Sequence, residues 1–261
     1  MILMYLLICV LGFVFGSFFN VLIYRLPKKE SFVFPSSHCP NCAKEIKWHD
    51  NIPIFSYILL KGRCRECNEK ISMQYPMIEL LTGIVFLLIF MKEGLTLFFA
   101  VYVVYFSSLL IVSAIDMKTK EINLYHLVFP FIVLIAVLVI YDFGIIKNEF
   151  VGTPFCELPD GLLGGIIGGG FIFAVRFLGS RILKQEAMGE GDIYIAILMG
   201  MLLGYRIFFY SMILAGAFGL IAFVFVPYIK KSREIPFAPF MSMGVFASYL
   251  LEPIFRGLNL L

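Results

Sequence analysis

The chain has 261 residues, of which 61% are hydrophobic and only 15% charged, with a mean hydropathy of +0.93. Those values exclude a water-soluble globule, in which about a quarter of residues are charged. The net charge of +3 comes without any nucleic-acid-binding module, so the basic residues read as determinants of membrane topology, with a lesser role in attracting anionic lipid or an acidic partner.

Apolar runs approaching 20 residues predict an all-α polytopic membrane protein of about eight transmembrane helices, at about 2–24, 76–92, 95–115, 123–141, 162–180, 192–204, 207–229 and 239–258. The first run is not expected to be a cleaved signal. No positive charge precedes it, it is too long, and Arg25 follows it. Gly12 and Gly16 in this span, and the glycines from Gly161 to Gly170 that open the fifth, recur at four-residue spacing and predict close helix packing in lipid. The sixth span is short, which suits a helix that begins inside a protein-lined cavity. The segment 142–161, with Asp142, Glu149, Glu157 and Asp160 against Lys147, reads as a solvated loop. No internal repeat is evident. The expected division is span one at 1–24, a polar insert at 25–75, and a transmembrane bundle at 76–261.

Alternating spans assign seventeen of the 21 lysines and arginines to one side. Nine lie in 25–75, with Lys118, Lys120, Arg176, Arg181, Lys184, Lys230, Lys231 and Arg233 beside them. Lys92, Lys147, Arg206 and Arg256 fall on the other. The basic side is expected to be cytoplasmic and both termini external.

The insert carries Cys39-Pro40-Asn41-Cys42 and Cys64-Arg65-Glu66-Cys67. Two such knuckles supply four thiolates to one tetrahedral ion, and a reducing compartment disfavours disulfides. A polar insert of this size cannot bury much core and needs a staple. A structural zinc on Cys39, Cys42, Cys64 and Cys67 is therefore expected. His38 and His49 read as surface residues, Cys9 as a packing residue, and Cys156 as a free thiol or an intermolecular contact on the outer side.

Two acids stand at span boundaries on the basic side: Asp116 in Ser113-Ala114-Ile115-Asp116-Met117-Lys118, and Asp192 in Met188-Gly189-Glu190-Gly191-Asp192. Carboxyls this near hydrocarbon are costly and point to function. Two that share a proton can act as base and acid in aspartic proteolysis. Gly189 and Gly191 let backbone and substrate pass close to Asp192. Asp192 opens a helix and Asp116 closes one, so the dipoles favour charge on the first and a proton on the second, with Lys118 and Lys120 opposing the latter. A proton- or ion-coupled transporter also embeds carboxylates in the membrane, but its sites lie near mid-bilayer rather than at the rim.

Taken in order, the motifs resemble the type IV prepilin peptidase family, the bifunctional leader peptidase/N-methyltransferases of bacteria, with membrane aspartic protease chemistry of the G-x-G-D type. The likeness rests on Gly16-Ser17-Phe18-Phe19-Asn20-Val21-Leu22-Ile23-Tyr24-Arg25-Leu26-Pro27, the two knuckles, and Tyr75-Pro76-Met77-Ile78-Glu79-Leu80-Leu81-Thr82-Gly83. It continues through Ala114-Ile115-Asp116, Gly189-Glu190-Gly191-Asp192 and Ile235-Pro236-Phe237-Ala238-Pro239-Phe240. The resemblance implies eight spans in the bacterial inner membrane, and cytoplasmic cleavage of a short basic leader, after a glycine, from pilins and pilin-like secretion or competence subunits. It further implies methylation of the new N-terminal amine with S-adenosylmethionine. The catalytic pair carries over to Asp116 and Asp192. A presenilin-like intramembrane protease shares the acid motif but does not call for knuckles.

Two positions depart from the family pattern. Ile122-Asn123 stands where Ile-Pro is expected, and Tyr194 where lysine is frequent. No G-x-G-x-x-G follows a strand and no polar segment is long enough for a Rossmann domain, so a methyl-donor site would be built from the insert and nearby helix ends. Glu79, the only acid in the first turns of span two, is the candidate contact there; the plainer reading is an acid favouring the helix dipole.

Overall fold

The predicted apolar runs emerge as helices in the structure, a computed structural model that describes residues 2–120, 125–144, 155–184, 188–225 and 236–257. Ile122, Asn123, Lys147, Glu149, Lys230, Lys231, Arg233 and Ile235, all used above, lie outside those residues. The helices are α1 (Ile2–Arg25), the short α2 (Phe55–Leu59), α3 (Gln74–Glu93), α4 (Leu97–Thr119), α5 (Tyr125–Asp142), α6 (Leu158–Leu183), α7 (Glu190–Phe225), α8 (Ala238–Leu250) and α9 (Glu252–Gly257). Five of them (α1, α3, α4, α6 and α7) are long and apolar enough to cross a membrane, and α5 and α8 are shorter apolar helices. The chain is an integral membrane protein.

Helix ends follow local chemistry. Pro27 stops α1, leaving a 3-10 turn at Leu26–Lys28 closed by Lys29 in the left-handed conformation. Thr96 caps α4, its hydroxyl accepting the Phe99 N–H at 3.2 Å. Proline sits in the first two positions of α6 and α8, where its missing N–H costs nothing. The predicted last span, 239–258, is divided at Leu251, where Glu252-Pro253 starts the separate α9.

The sixth and seventh predicted spans form one element, α7, broken at Gly204. There φ is 71° and ψ 168°, a conformation that disfavours any side chain and turns the backbone out of the helix. The thiol of Cys156 donates to the carbonyls of Met201 and Leu202, both at 3.4 Å, just before this break. Burial pushes the thiol up to about 12, so it keeps the proton it donates. Cys156 is thus a free thiol, occupied by the break in α7.

Two compact units divide the chain, Met1–Gly94 and Leu95–Leu261. In the first, α1 packs along α3. A Cβ at Gly12 would lie 2.7 Å from the Gly83 Cα, and one at Gly16 would lie 2.6 Å from the Glu79 Cα. Only glycine permits that approach, as their spacing predicts. In the second unit, α7 packs against α6 and α8, and α4 against α5 and α8. Gly164 and Gly200 face one another across the α6–α7 seam with backbone nearly touching backbone. Aromatic rings fill the α4–α8 contact, with Phe106 and Phe246 centroids 4.9 Å apart and Tyr102 and Tyr249 5.0 Å apart.

Candidate active site and metal centre

Both aspartates belong to the second unit and both are buried, each with 5% of its surface exposed. Asp192 lies in the first turn of α7, as its motif requires, and its carboxyl accepts the backbone N–H of Gly189. A Cβ at Gly189 would stand 3.6 Å from Asp192 Oδ2, so this glycine lines the carboxyl directly; Gly191 is buried in the same turn. Glu190 turns outward and pairs with Arg176 of α6 at 3.0 Å, tying the acid-bearing turn to its neighbour. Asp116 sits in the last turn of α4, close enough to Asp192 for its charge to act on it. The structure therefore brings the two predicted acids together from elements 76 residues apart in sequence.

The sequence reading missed the group that holds Asp116. Its Oδ2 accepts the N–H of Ala238 at 3.3 Å, the first residue of α8. The carboxyl thus meets a helix N-terminus as well as closing α4, and this donor opposes the effect of the α4 dipole. Pro236 and Pro239, flanking Ala238, were the available signal, because proline marks a helix start. One turn away, Ser113 Oγ lies 2.7 Å from Ser242 Oγ and pins α4 to α8 beside the acid. Tyr194, the family departure, is half-buried on α7.

In the first unit the four predicted cysteines converge. Their sulfurs all lie within 4.8 Å of one another, and Cys39 and Cys67 sulfurs are 3.8 Å apart. Four sulfurs at about 2.3 Å from a tetrahedral ion would be about 3.8 Å apart, so the set fits a metal ion, and all four cysteines are free of disulfides. The knuckles are built alike. Cys39 N–H donates to Lys44 O and Cys64 N–H to Glu69 O; Ala43 N–H donates to Cys39 O and Asn68 N–H to Cys64 O. Ala43 and Asn68, at φ 55° and 57°, complete the two turns. Short bridges His38–Glu45 and Arg63–Lys70 close them. Residues 37–46 and 62–71 are therefore a structural repeat of ten residues, which the sequence reading did not see because only the cysteines and the final isoleucine match. The N–H groups of Cys67 and Glu66 point at the Cys64 sulfur and hold its thiol down to about 7, suited to a thiolate ligand. His38 and His49 stay outside the cluster.

Glu79 is buried in α3 and its Oε2 accepts the Ile54 N–H at 2.7 Å. The Ser17 hydroxyl of α1 also bonds this carboxyl. Ile54 is at φ 60°, a costly conformation for a β-branched residue, so Glu79 fixes the insert where it enters α2. Beside it, the Asn20 amide donates to Gly16 O at 3.3 Å and Tyr75 O at 3.0 Å, while its Oδ1 is buried without a partner among the described residues.

These features define a helical membrane protein with a pair of neighbouring buried carboxyls and a four-thiol insert. Residues 10–93 match the family model described as "Bacterial Peptidase A24 N-terminal domain", and residues 103–224 match the "Type IV leader peptidase family". Among curated proteins, the "Type 4 prepilin-like proteins leader peptide-processing enzyme" of Escherichia coli O78:H11 is 32% identical over 94% of this chain and 93% of its own. The "Prepilin leader peptidase/N-methyltransferase" of Klebsiella pneumoniae is 32% identical over 78% of this chain and 87% of its own, and that of Bacillus subtilis 29% identical over 92% of each. No solved structure matches. The chain belongs to the type IV leader peptidase family.

Proposed function

We propose that this chain cleaves the basic leader from prepilins and pilin-like precursors, and then methylates the amine it exposes. The observation that carries the reading is the pair of buried carboxyls, Asp116 and Asp192, each held by a backbone N–H, with the charge of Asp116 acting on Asp192. In this mechanism the two share one proton. The ionised carboxyl takes a proton from water as the water oxygen attacks the scissile carbonyl, and its partner gives its proton to the carbonyl oxygen. Collapse of the tetrahedral species returns a proton to the leaving amine, and the pair is restored. Gly189 leaves room for the substrate backbone beside Asp192.

The four cysteines would hold zinc, a structural ion that stands in for the core this insert lacks. The methyl donor would be S-adenosylmethionine, which supplies an electrophilic methyl on a sulfonium. Glu79 and the orphaned Oδ1 of Asn20 are acceptors suited to a cation, and they would hold or orient the sulfonium or the substrate amine. The basic surplus supports a placement of the acid pair at the cytoplasmic face of the inner membrane, with both termini outside. The test is to incubate the purified protein with a pilin precursor, with and without S-adenosylmethionine, and weigh the products. Leader loss in both, with an added methyl group only in the first, is expected; an intact precursor in both would overturn the reading.

A further inference from the structure

The segment that follows α1 carries three consecutive exposed apolar side chains, Phe32, Val33 and Phe34, exposed by 52%, 60% and 77%. Several of its polar groups are satisfied internally. The guanidinium of Arg25, buried at the end of α1, donates to the carbonyls of Ser31 at 2.9 Å, Pro35 at 2.7 Å and Ser36 at 3.4 Å. The N–H groups of Val33 and Phe34 are turned to Ser31 Oγ at 3.3 and 3.4 Å, and Pro35 has none. A loop meant for water has no need to satisfy its backbone and expose its phenyl rings. A loop that enters a low-dielectric medium needs both.

The position of the loop identifies that medium. Arg25 straps both ends of the tip to the last turn of a 24-residue apolar helix, so the tip cannot leave the level at which that helix ends. α1 itself exposes apolar side chains, Val14, Phe15 and Phe18 among them. Between helix and tip stand Lys28 and Lys29, with the Lys28 ammonium 3.7 Å over the Tyr24 ring. Basic groups beside aromatic ones at a span end are the composition of the membrane–water boundary.

We propose that Phe32, Val33 and Phe34 insert into the lipid interface and anchor the four-cysteine insert to the bilayer surface. Rings seated there would lie about 5–10 Å into the headgroup and acyl boundary. The anchor would fix the height of the insert over the membrane whatever its catalytic role.

The chain has a single tryptophan, Trp48, so a clean probe is available. Phe34→Trp in a Trp48→Phe background would be reconstituted into vesicles of phosphatidylcholine and phosphatidylglycerol. The acyl chains would be brominated near the glycerol in one set and near the methyl end in another. A Val33→Trp variant serves if the first fails to fold, and retention of the bound metal reports folding in both. The proposal expects blue-shifted emission, quenched most by the shallow bromines and little by acrylamide. Blue emission that neither bromine quenches would mean that the tip packs against protein, in this chain or a second copy. Red emission quenched only by acrylamide would mean that it lies in water. Either of the last two results overturns the proposal.

Discussion

The glycine seam between α6 and α7 gives a sharp test of how finely Asp192 must be held. A Cβ at Gly168 would lie 2.5 Å from the carbonyl oxygen of Ala196 and 2.9 Å from Cε2 of Phe208, whereas ordinary contact begins at 3.4 Å. Gly168→Ala must therefore move the helices apart by about 0.9 Å, the difference between those values, since the nearest obstacle is backbone. Ala196 is one helical turn beyond Asp192. A displacement near 1 Å at a catalytic group costs up to ~10²-fold in rate, about 2.7 kcal/mol of barrier. Overpacking adds about 1–3 kcal/mol of lost stability. Gly170, two residues away on the same helix, has nothing within 4 Å of its Cβ position, and Gly170→Ala should gain roughly 0.5–1 kcal/mol of helix stability and leave catalysis alone. The assay is prepilin cleavage in proteoliposomes, comparing kcat and KM for both variants below their unfolding temperatures. The loss in Gly168→Ala should fall on kcat. Wild-type kcat in Gly168→Ala, or an equal loss in Gly170→Ala, would refute the claim that the seam positions the acid.

Asp116→Asn and Asp192→Asn should each abolish precursor cleavage while leaving a folded, membrane-inserted protein, because an amide cannot exchange the proton; a loss of only a few-fold in either, by product mass, would remove the dyad assignment. Elemental analysis should find about one zinc per chain in the wild type and none in the Cys39→Ser/Cys64→Ser double variant; equal metal in both would place the ion elsewhere. Glu79→Gln should lower methyl incorporation into an already cleaved pilin more than it lowers cleavage of the precursor, and the reverse order would show that Glu79 serves the peptidase instead.

Much of this was legible because each signal was local or was required by the membrane. Runs of apolar residues have one helical outcome in lipid, and the C-x2-C pairs already contain their turn geometry. Asp116 and Asp192 stood out because carboxyls are costly at a span boundary. What escaped notice depended on partners distant in the chain. Nothing near Asp116 announces the N–H of Ala238, 122 residues away, and Ser113 and Ser242 meet across a similar gap. Cys156 looked like a spare thiol because its acceptors are backbone carbonyls, which carry no sequence signature. The equivalence of the knuckles resides in main-chain hydrogen bonds, so side-chain comparison could not find it.

The boundary at Gly94–Leu95 between the compact units falls in the gap between the two family matches, which end at residue 93 and begin at residue 103. That junction is sharply built: Gly94, at φ 65°, ends α3, and Thr96 caps α4 two residues later. Each unit carries the polar groups proposed for one task. The acid pair and its supports, Gly189, Ala238, Ser113 and Ser242, all fall after residue 95. The four thiols, Glu79, Asn20 and Ser17 all fall before it. Among the described residues, the hydrogen bonds given to Asp116 and Asp192 come from Ala238 and Gly189 of the second unit, and those given to Glu79 come from Ile54 and Ser17 of the first. Effects of substitutions in separate networks should be nearly additive. The Glu79→Gln comparison therefore carries more weight than a single variant normally does. A carboxyl that also clamps Ile54 will disturb the insert when changed, and cleavage by the acid pair, measured on the same variant, provides the internal control.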